Sequence, residues 1–221
     1  MQAVIMAAGR GSRMGKITED TPKPLLVVKN KTILEHKFDA LPDSINEVIV
    51  VINYLGEKIK NHLGDRFNNK DIVYIEQKDM FGTAGALWQA KHLLENKFLV
   101  VNGDDFYNLS EMNQLVKNDL AMGLSRNKFI GDTLLSIKVG DSGEVQGWNF
   151  EKAENSLIIN GAYVLDKRIF NYEPEQIGKG EFGLPHTILK MSRDYPIKGI
   201  IMDYWYPLNT PEDIKEFEKS G

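Results

Sequence analysis

Short, nearly continuous apolar runs recur along the first half of the chain, and each ends close to a glycine or a polar residue. They cover Ala3–Ala8, Glu47–Asn53, Ile72–Glu76 and Phe98–Asn102. Runs of this length that are rich in β-branched residues are typical of strands buried on both faces. The pattern therefore predicts the strands of a mostly parallel sheet.

Segments with a helical spacing of apolar residues lie between these runs. Ile33–Leu41 and Ala84–Leu94 each carry apolar side chains at intervals of three or four residues, and Thr83 is the predicted N-cap of the second helix. Strands and helices that alternate along a chain are typical of an α/β fold, in which helices cover the faces of the sheet. Ligands bind beyond the carboxyl ends of the strands in such sheets, so the loops after these runs form the predicted site.

The pattern changes at about residue 127. Three strand-like segments, Thr133–Val139, Glu144–Phe150 and Leu157–Leu165, are separated by turn sequences and predict a hairpin-rich extension that lies over the sheet. A last helix is predicted over Pro211–Lys219, with Thr210 as its N-cap. Residues 1–221 show no linker or internal repeat, so we expect them to form a single domain.

The composition of the chain narrows the classes of partner and chemistry. Lysine and arginine number 27 against 31 aspartates and glutamates, which gives a net charge of -4. Without a clustered basic excess, we expect neither nucleic acid nor an anionic membrane as partner. No apolar run approaches the roughly 18 residues of a membrane-spanning helix. The chain has no cysteine, which excludes disulfides, thiolate metal sites and a cysteine nucleophile and fits the cytoplasm, where we expect the protein.

A glycine-rich loop, Gly9–Lys16, follows the first predicted strand. Met14 stands where a dinucleotide-binding fingerprint has a glycine, and Arg10 stands where a Walker loop has one. The loop and the Pro-Lys-Pro segment that follows it carry four cations, Arg10, Arg13, Lys16 and Lys23. Cations that converge beside backbone N–H groups suit a triphosphate, because a triphosphate carries several negative charges.

Four segments of the chain, in order, resemble the motifs of one enzyme family. Residues 7–26, AAGRGSRMGKITEDTPKPLL, resemble the signature of the sugar-phosphate nucleotidyltransferases, a Gly-x-Gly-(Thr/Ser)-Arg loop followed by Pro-Lys-Pro. The resemblance continues in Phe81–Leu87, Val101–Asp105 and Trp205–Asp213. It implies a Rossmann-like core that transfers a nucleoside monophosphate from a nucleoside triphosphate to a sugar 1-phosphate with Mg²⁺ and releases pyrophosphate.

The resemblance assigns the first loop and Lys23 to the phosphates. Arg13 would hold the β- and γ-phosphates, and Lys23 would bridge the α-phosphate and the incoming sugar phosphate. Both residues are expected to be catalytic through charge and positioning rather than through proton transfer. The loop would lie against the nucleotide at Ala8, Gly9, Gly11 and Ser12.

The metal ligand is expected after the last of the apolar runs. The resemblance assigns Asp104 as the Mg²⁺ ligand, and one or two protein carboxylates are usually enough for this ion. The family usually has a second metal carboxylate in its tail, where this chain has Pro207. Either Asp105, Asp203 or Asp213 takes that place, or phosphates and water supply most of the metal ligands.

The resemblance places base recognition at Gln77, Gly82 and Thr83. The imide edge of uracil or thymine offers an N–H donor between two carbonyl acceptors, and an amide side chain both donates and accepts. Gln77 therefore favours UTP or dTTP. Guanine would require a carboxylate, and Glu76 keeps that alternative open, although a strand turns it to the opposite face.

The sugar is expected to bind the second half of the chain. Glu151 and Lys152 are similar to the Glu-Lys-Pro of the family, Asn160 to its Asn-Thr-Gly, and Glu181 to a segment that lines the sugar side. Carboxylate and amide side chains suit hydroxyl and acetamido groups.

This interpretation divides the domain into a nucleotide-binding half, about residues 1–126, and a sugar-binding half, about residues 127–221. Two alternatives stay open. One is a guanylyl- or cytidylyltransferase that acts on a sugar phosphate or a phospho-alcohol. The other is a non-catalytic sugar-nucleotide-binding protein, because Pro207 suggests a lost metal ligand.

Overall fold

A computed structural model describes residues 1–79, 81–126, 136–150 and 156–219. The helices are α1 (Ile33–Asp39), α2 (Gly56–Leu63), α3 (Gly82–Ala90), α4 (Leu109–Leu115), α5 (Leu184–Met191) and α6 (Pro211–Lys219). The strands are β1 (Gln2–Met6), β2 (Val27–Val28), β3 (Lys31–Thr32), β4 (Glu47–Ile52), β5 (Arg66–Phe67), β6 (Lys70–Glu76), β7 (Lys97–Asn102), β8 (Asp105–Tyr107), β9 (Ala121–Arg126), β10 (Ser136–Val139), β11 (Val145–Asn149), β12 (Leu157–Asp166), β13 (Glu175–Gly178), β14 (Glu181–Gly183), β15 (Lys198–Ile201) and β16 (Trp205–Pro207). Short 3-10 helices cover Ser12–Thr18, Lys23–Leu25 and Lys167–Asn171.

A mixed ten-stranded sheet forms the centre of the fold. Eight strands follow one another in the order β11-β10-β12-β7-β1-β4-β6-β5, while β9 pairs with β12 and β15. The strands β7, β1, β4 and β6 are parallel, and helices pack on both faces of the sheet. The predicted α/β architecture, with a largely parallel sheet flanked by helices, is confirmed.

The central strand β1 shows why apolar runs form these strands. Ala3 and Ile5 are fully buried on one face of the sheet, together with Leu34 of α1. Val4 is fully buried on the other face, together with Leu87 of α3. Since successive side chains point to opposite faces and both faces are covered, the central positions of the strand are apolar.

The second half of the chain extends the sheet, so the prediction that it lies over the sheet was wrong. β12 pairs antiparallel with β7, with Ala162 opposite Val101, and β10 and β11 continue the sheet beyond it. The physical reason is that β12 is apolar on both faces, since Val164 packs into one core and Tyr163 into the other. A strand of this kind is stable inside a sheet rather than on top of one.

The boundaries of α3 differ from the prediction. The helix begins at Gly82 and ends at Ala90, and its N-cap is Phe81, with no side-chain cap. Thr83 lies inside the first turn, so its predicted role as N-cap was wrong. Its hydroxyl oxygen instead accepts a hydrogen bond of 2.9 Å from the backbone N–H of Leu184, the first residue of α5.

The last helix agrees with the prediction. α6 covers Pro211–Lys219, and the backbone N–H of Asp213 donates to Thr210 Oγ1 at 3.3 Å. Among the described residues, no helix is long and apolar enough to span a membrane. Residues 133–135 of a predicted strand lie outside the described residues.

Candidate active site

A cavity of about 560 Å³ opens at the carboxyl ends of β1, β6 and β7. Parallel strands end at the same edge of a sheet, so the loops that follow them meet there. The cavity brings together most of the predicted site residues, namely Ala8, Gly9, Gly11, Ser12, Arg13, Lys23, Gln77, Gly82, Thr83, Asp104 and Asn160.

The glycine-rich loop packs against the protein on one side and is exposed at the cavity on the other. Gly11 adopts a left-handed backbone with φ 68°, where a Cβ would come within 3.0 Å of the Lys23 side chain. The hydroxyl of Thr18 donates to the Gly11 carbonyl at 3.1 Å, and the Met14 side chain is buried below. Arg13 is exposed at the cavity. The fold therefore presents Arg13 on a constrained backbone.

Arg10 has a different environment from Arg13. Its guanidinium lies 5.2 Å from the centre of the Tyr54 ring, and the Tyr54 hydroxyl donates to the carbonyl of Glu19 at 2.6 Å. The structure therefore places this predicted phosphate-binding cation against an aromatic side chain, and not among the residues that line the cavity.

Lys23 and Asp104 form an ion pair in the wall of the cavity. The distance between Lys23 Nζ and Asp104 Oδ2 is 2.6 Å, and the two side chains are 7% and 35% exposed. Pro22 precedes the lysine and Pro24 follows it, which restricts the backbone of this segment. The site thus holds a positive charge against the carboxylate that the sequence assigns to the metal.

Asp105 does not face solvent but is turned into the core, where it is 5% exposed. Its Oδ2 accepts hydrogen bonds from Asn102 Nδ2 at 2.9 Å and from the Tyr107 hydroxyl at 3.4 Å. Burial, and then the neighbouring charge of Asp104, raises the pKa of Asp105 to about 7. This side chain is therefore engaged within the protein, beside the cavity.

Of the other candidates for a second metal carboxylate, Asp203 is exposed, and neither it nor Asp213 is part of the cavity lining. Pro207 stands opposite Asp105 in the pairing of β16 with β8. The Asp213 carboxylate accepts from the backbone N–H groups of Asn209 at 2.6 Å and Thr210 at 2.8 Å, so it caps α6. The described residues contain no cluster of three or more acidic or histidine side chains suited to a metal.

Lys37 is a buried lysine that the sequence predictions missed. It is 2% exposed, its Nζ donates to the backbone carbonyl of Asp105, and it lies 4.3 Å from the centre of the Tyr107 ring. Burial lowers the pKa of Lys37 to about 8, against the opposing effect of Asp105. The sequence did hold a signal, because Lys37 lies three residues after Leu34 and four before Leu41 on the apolar face of its helix.

Gln77 lies at the opposite wall of the cavity and is 7% exposed. Its Nε2 donates to the carbonyl of Gly82 at 3.1 Å, and Asn53 Nδ2 donates to its backbone carbonyl at 2.5 Å. Gly82 has φ 82°, and a Cβ there would come within 2.5 Å of the Phe182 carbonyl oxygen. Glu76 is exposed, as expected for a neighbouring strand position.

Asn160 reaches the cavity wall, but its side chain is fully buried. Asn160 Nδ2 donates to Ser125 Oγ at 3.3 Å, and Oδ1 accepts from the Ala162 backbone N–H at 3.2 Å. The amide therefore makes hydrogen bonds inside the protein at the cavity wall, and its contact with a sugar stays a prediction. The bulge in β12 turns this residue towards β9.

Of the remaining sugar-side predictions, Glu181 is described and is not part of the cavity lining. Glu181 is exposed on β14, and Glu151 and Lys152 lie outside the described residues. The cavity is instead lined on this side by Trp205 and Asn209, to which the sequence assigned no role. The pairing of β16 with β8 brings this tail to the cavity.

A model of the nucleotidyl transferase family matches residues 2–128. The matched segment is more than half of the chain and contains the glycine-rich loop, Lys23, Gln77 and Asp104. The chain belongs to the nucleotidyl transferase family. The family match therefore covers the phosphate-side and base-side walls of the cavity, whereas Asn160, Trp205 and Asn209 lie outside the matched segment.

Two relatives of this nucleotidyl transferase family member match over nearly all of the chain. The bifunctional protein GlmU of Methanocaldococcus jannaschii is 30% identical over 225 residues, which are 99% of this chain and 54% of that protein. The D-glycero-alpha-D-manno-heptose 1-phosphate guanylyltransferase of Campylobacter jejuni is 30% identical over 223 residues, which are 98% of each chain. The chain thus spans about half the length of the first relative.

A solved structure shows the same fold. UDP-glucose pyrophosphorylase in complex with UDP-glucose matches with a TM-score of 0.82 at 17% identity, over 99% of this chain and 97% of that chain. The match covers the whole sheet, including the antiparallel strands of the second half, so the two proteins share this architecture.

Proposed function

We propose that this protein transfers a nucleoside monophosphate from a nucleoside triphosphate to the phosphate of a sugar 1-phosphate and releases pyrophosphate. The observation that carries the proposal is the 2.6 Å contact between Lys23 and Asp104 in the cavity that Arg13 also lines. A carboxylate for a metal, an ammonium group for a phosphate and an arginine for the leaving group are what this transfer requires.

The reaction needs positioning more than proton transfer. An oxygen of the sugar phosphate attacks the α-phosphorus, and the bond from that phosphorus to the leaving pyrophosphate breaks. A phosphate monoester has a second pKa of about 6, so the nucleophile is already ionised near neutral pH. Arg13 holds the leaving pyrophosphate and stabilises its negative charge, while Lys23 holds the attacking phosphate beside the α-phosphate.

Mg²⁺ fits the donor set of this site. Asp104 would hold the ion together with phosphate oxygens, and the bound ion would neutralise phosphate charge. The contact of Asp104 with the Lys23 ammonium supports this proposal, because the carboxylate faces a cationic group in the cavity. Since Pro207 has no ligand atom in its side chain and Asp213 caps a helix, we propose a single protein carboxylate at the metal.

For the base we propose a uracil or thymine, and hence UTP or dTTP. The support is Gln77, whose amide lies at the cavity beside the Gly82 carbonyl and presents both donor and acceptor chemistry. Glu76, the carboxylate that guanine would require, is exposed beside it rather than at the cavity. The guanylyltransferase relative makes GTP the competing substrate to test.

For the acceptor we propose that the sugar lies against the wall formed by Trp205 and Asn209. An indole face and an amide suit a ring that is apolar on one side and carries hydroxyl groups. Glu151, Lys152 and Glu181 remain proposals for contacts that a bound sugar would make. A phospho-alcohol acceptor uses the same phosphate contacts, so it belongs in the same test.

The test is a pyrophosphate-release screen that crosses UTP, dTTP, GTP and CTP with sugar 1-phosphates and phospho-alcohols. We expect Mg²⁺-dependent release, fastest with UTP or dTTP, and its loss in a Lys23→Met variant. Lys117→Met is the matched control, because Lys117 is an exposed lysine paired with Gln114. Release with no pair of substrates, or release that Lys23→Met leaves unchanged, would contradict the proposal and favour a non-catalytic binding protein.

A further inference from the structure

The buried ammonium of Lys37 lies directly behind the carboxylate of the site. Lys37 projects from α1, and its Nζ donates to the backbone carbonyl of Asp105, the residue after Asp104. Lys23 contacts the Asp104 side chain from the cavity side. Two lysines from neighbouring segments of the chain therefore hold the Asp104–Asp105 pair from opposite sides.

The pairing of β8 with β16 explains why the Asp105 carbonyl needs this donor. The backbone N–H of Leu208 donates to the Asp104 carbonyl at 3.1 Å, so Asp105 and Pro207 form a non-hydrogen-bonded pair of this antiparallel ladder. The carbonyl of Asp105 then points away from β16, towards α1. A buried carbonyl without a donor is costly, and Lys37 supplies that donor.

The same register explains the proline. At a non-hydrogen-bonded position the backbone N–H of residue 207 would not donate to β8, so Pro207 removes no hydrogen bond from the ladder. The turn that carries Asp104 is then held at three successive residues. Gly103 N–H donates to the Met6 carbonyl at 3.1 Å, the Asp104 carbonyl accepts from Leu208, and the Asp105 carbonyl accepts from Lys37.

We propose that Lys37 is a positioning residue that fixes the Asp104 carboxylate for the metal ion through its hydrogen bond to the carbonyl of Asp105. The inference rests on the proposed function, because it assumes that Asp104 binds a divalent cation. Groups behind a metal ligand typically change metal affinity by about 10- to 100-fold when they are removed.

The test compares Lys37→Met with Lys70→Met. Lys70 is also buried, and its Nζ donates to the carbonyls of Ile45 at 2.9 Å and Pro42 at 3.2 Å, but it begins β6, at the edge of the sheet opposite the cavity. Both changes delete a buried ammonium with similar bonds. Binding of Mn²⁺ alone is followed by the electron paramagnetic resonance signal of the free ion, and folding by the melting temperature.

We expect Lys37→Met to weaken Mn²⁺ binding by about tenfold or more, while Lys70→Met lowers the melting temperature without changing Mn²⁺ binding. The Mg²⁺ concentration for half-maximal pyrophosphate release should rise in the same proportion. Equal Mn²⁺ binding by the two variants, or a wild type that binds no Mn²⁺, would overturn the role of Lys37.

A double variant, Lys37→Met with Asp105→Asn, separates positioning from stability. It removes both buried charges together, so its melting temperature should recover relative to Lys37→Met, while the carbonyl of residue 105 still lacks its donor. We expect the loss of Mn²⁺ affinity to persist, and Asp105→Asn alone to lose less. Recovery of Mn²⁺ binding together with stability, or an equal loss in Asp105→Asn alone, would overturn the proposal.

The metal measurement and the transfer measurement can fail separately. If the variants show the expected Mn²⁺ affinities but the wild type releases pyrophosphate with no pair of substrates, the proposed function fails and the role of Lys37 at Asp104 stands. If pyrophosphate is released and Lys37→Met leaves both Mn²⁺ binding and the Mg²⁺ requirement unchanged, only the role of Lys37 fails.

Discussion

Arg13 and Arg10 belong to the same loop but have different surroundings. Arg13 lines the cavity, whereas the Arg10 guanidinium lies over the Tyr54 ring. A charge aimed at the leaving pyrophosphate acts mainly in the transition state, so we expect Arg13→Ala to lower kcat by about 100-fold or more. Arg10→Ala should lower kcat far less. Steady-state rates of pyrophosphate release check this, and equal kcat values for the two variants would contradict it.

The proposed choice of base rests on one side chain, Gln77. In Gln77→Glu a carboxylate faces the base carbonyl and the Gly82 carbonyl with no donor, so kcat/KM for UTP and dTTP should fall by about 10- to 100-fold. Glu76→Gln is the matched control, since Glu76 is exposed beside it and its exchange should leave the nucleotide profile unchanged. A wild type that prefers GTP, or a Gln77→Glu variant with the wild-type order of four triphosphates, would show that Gln77 does not read the base.

The grouping of three predicted phosphate-binding residues at the cavity was predictable because they follow one strand in a single stretch of chain. Gly11, Arg13 and Lys23 lie within thirteen residues, and local backbone rules place them. The hydrogen-bond partners of Asn160 and Lys37 were not predictable, because they come from distant elements. Asn160 donates to Ser125 of β9, and Lys37 donates to the carbonyl of Asp105. Residue type and spacing indicate burial, but they do not identify the hydrogen-bond partner.

At the scale of elements, the helix that carries Lys37 begins with a capping box. The backbone N–H of Glu35 donates to Thr32 Oγ1 at 3.1 Å, and the backbone N–H of Thr32 donates to Glu35 Oε2 at 2.6 Å. The second of these bonds lowers the pKa of Glu35 below its usual value. The ionised carboxylate therefore stabilises the folded state above the ordinary pKa of glutamate, and this contribution is lost as the pH falls through the lowered pKa.

We therefore expect Glu35→Gln to lower the urea midpoint at pH 7, and the difference from the wild type to shrink as the pH falls below the ordinary pKa of glutamate. Glu57→Gln is the control, because Glu57 is the first-turn acid of α2 but its side chain is 78% exposed, in a surface pair with Lys60. Such pairs contribute little. If the urea midpoints of the wild type and Glu35→Gln differ as much at pH 3 as at pH 7, the charge of Glu35 does not act through the cap.

Element boundaries show where sequence patterns stop being informative. Pro211–Lys219 was predictable to the residue because a threonine cap and a proline define its start locally. Thr83 offers the same kind of signal, yet its hydroxyl oxygen accepts a hydrogen bond from the first residue of α5, a helix that begins about a hundred residues later. The position of β12 in the sheet was missed for a similar reason, since an apolar run does not indicate which neighbouring strand it will pair with.

At the scale of the whole molecule, the two predicted halves share one sheet and both of its cores. The core on one face joins Leu99 of β7 to Val164 of β12, and the core on the other joins Phe98 to Leu165. The tail reaches back as well, since β16 pairs with β8 beside Asp104. If the site were a cleft between two separate halves, each half would have a core of its own. Here both cores contain residues of both halves, and the candidate site lies where the halves join.

This sharing predicts that residues 1–126 and 127–221 unfold together. Trp88 reports on the first half, and Trp148 reports on the second. Variants that keep only one of these tryptophans, with the others changed to Phe, should show coincident urea transitions by fluorescence, because neither half can lose its strands without exposing apolar area of the other. The transition followed by far-ultraviolet circular dichroism is the control for each variant. Two separated midpoints, with the Trp148 signal changing first, would mean that the second half is an independent unit and that the shared cores contribute little to its stability.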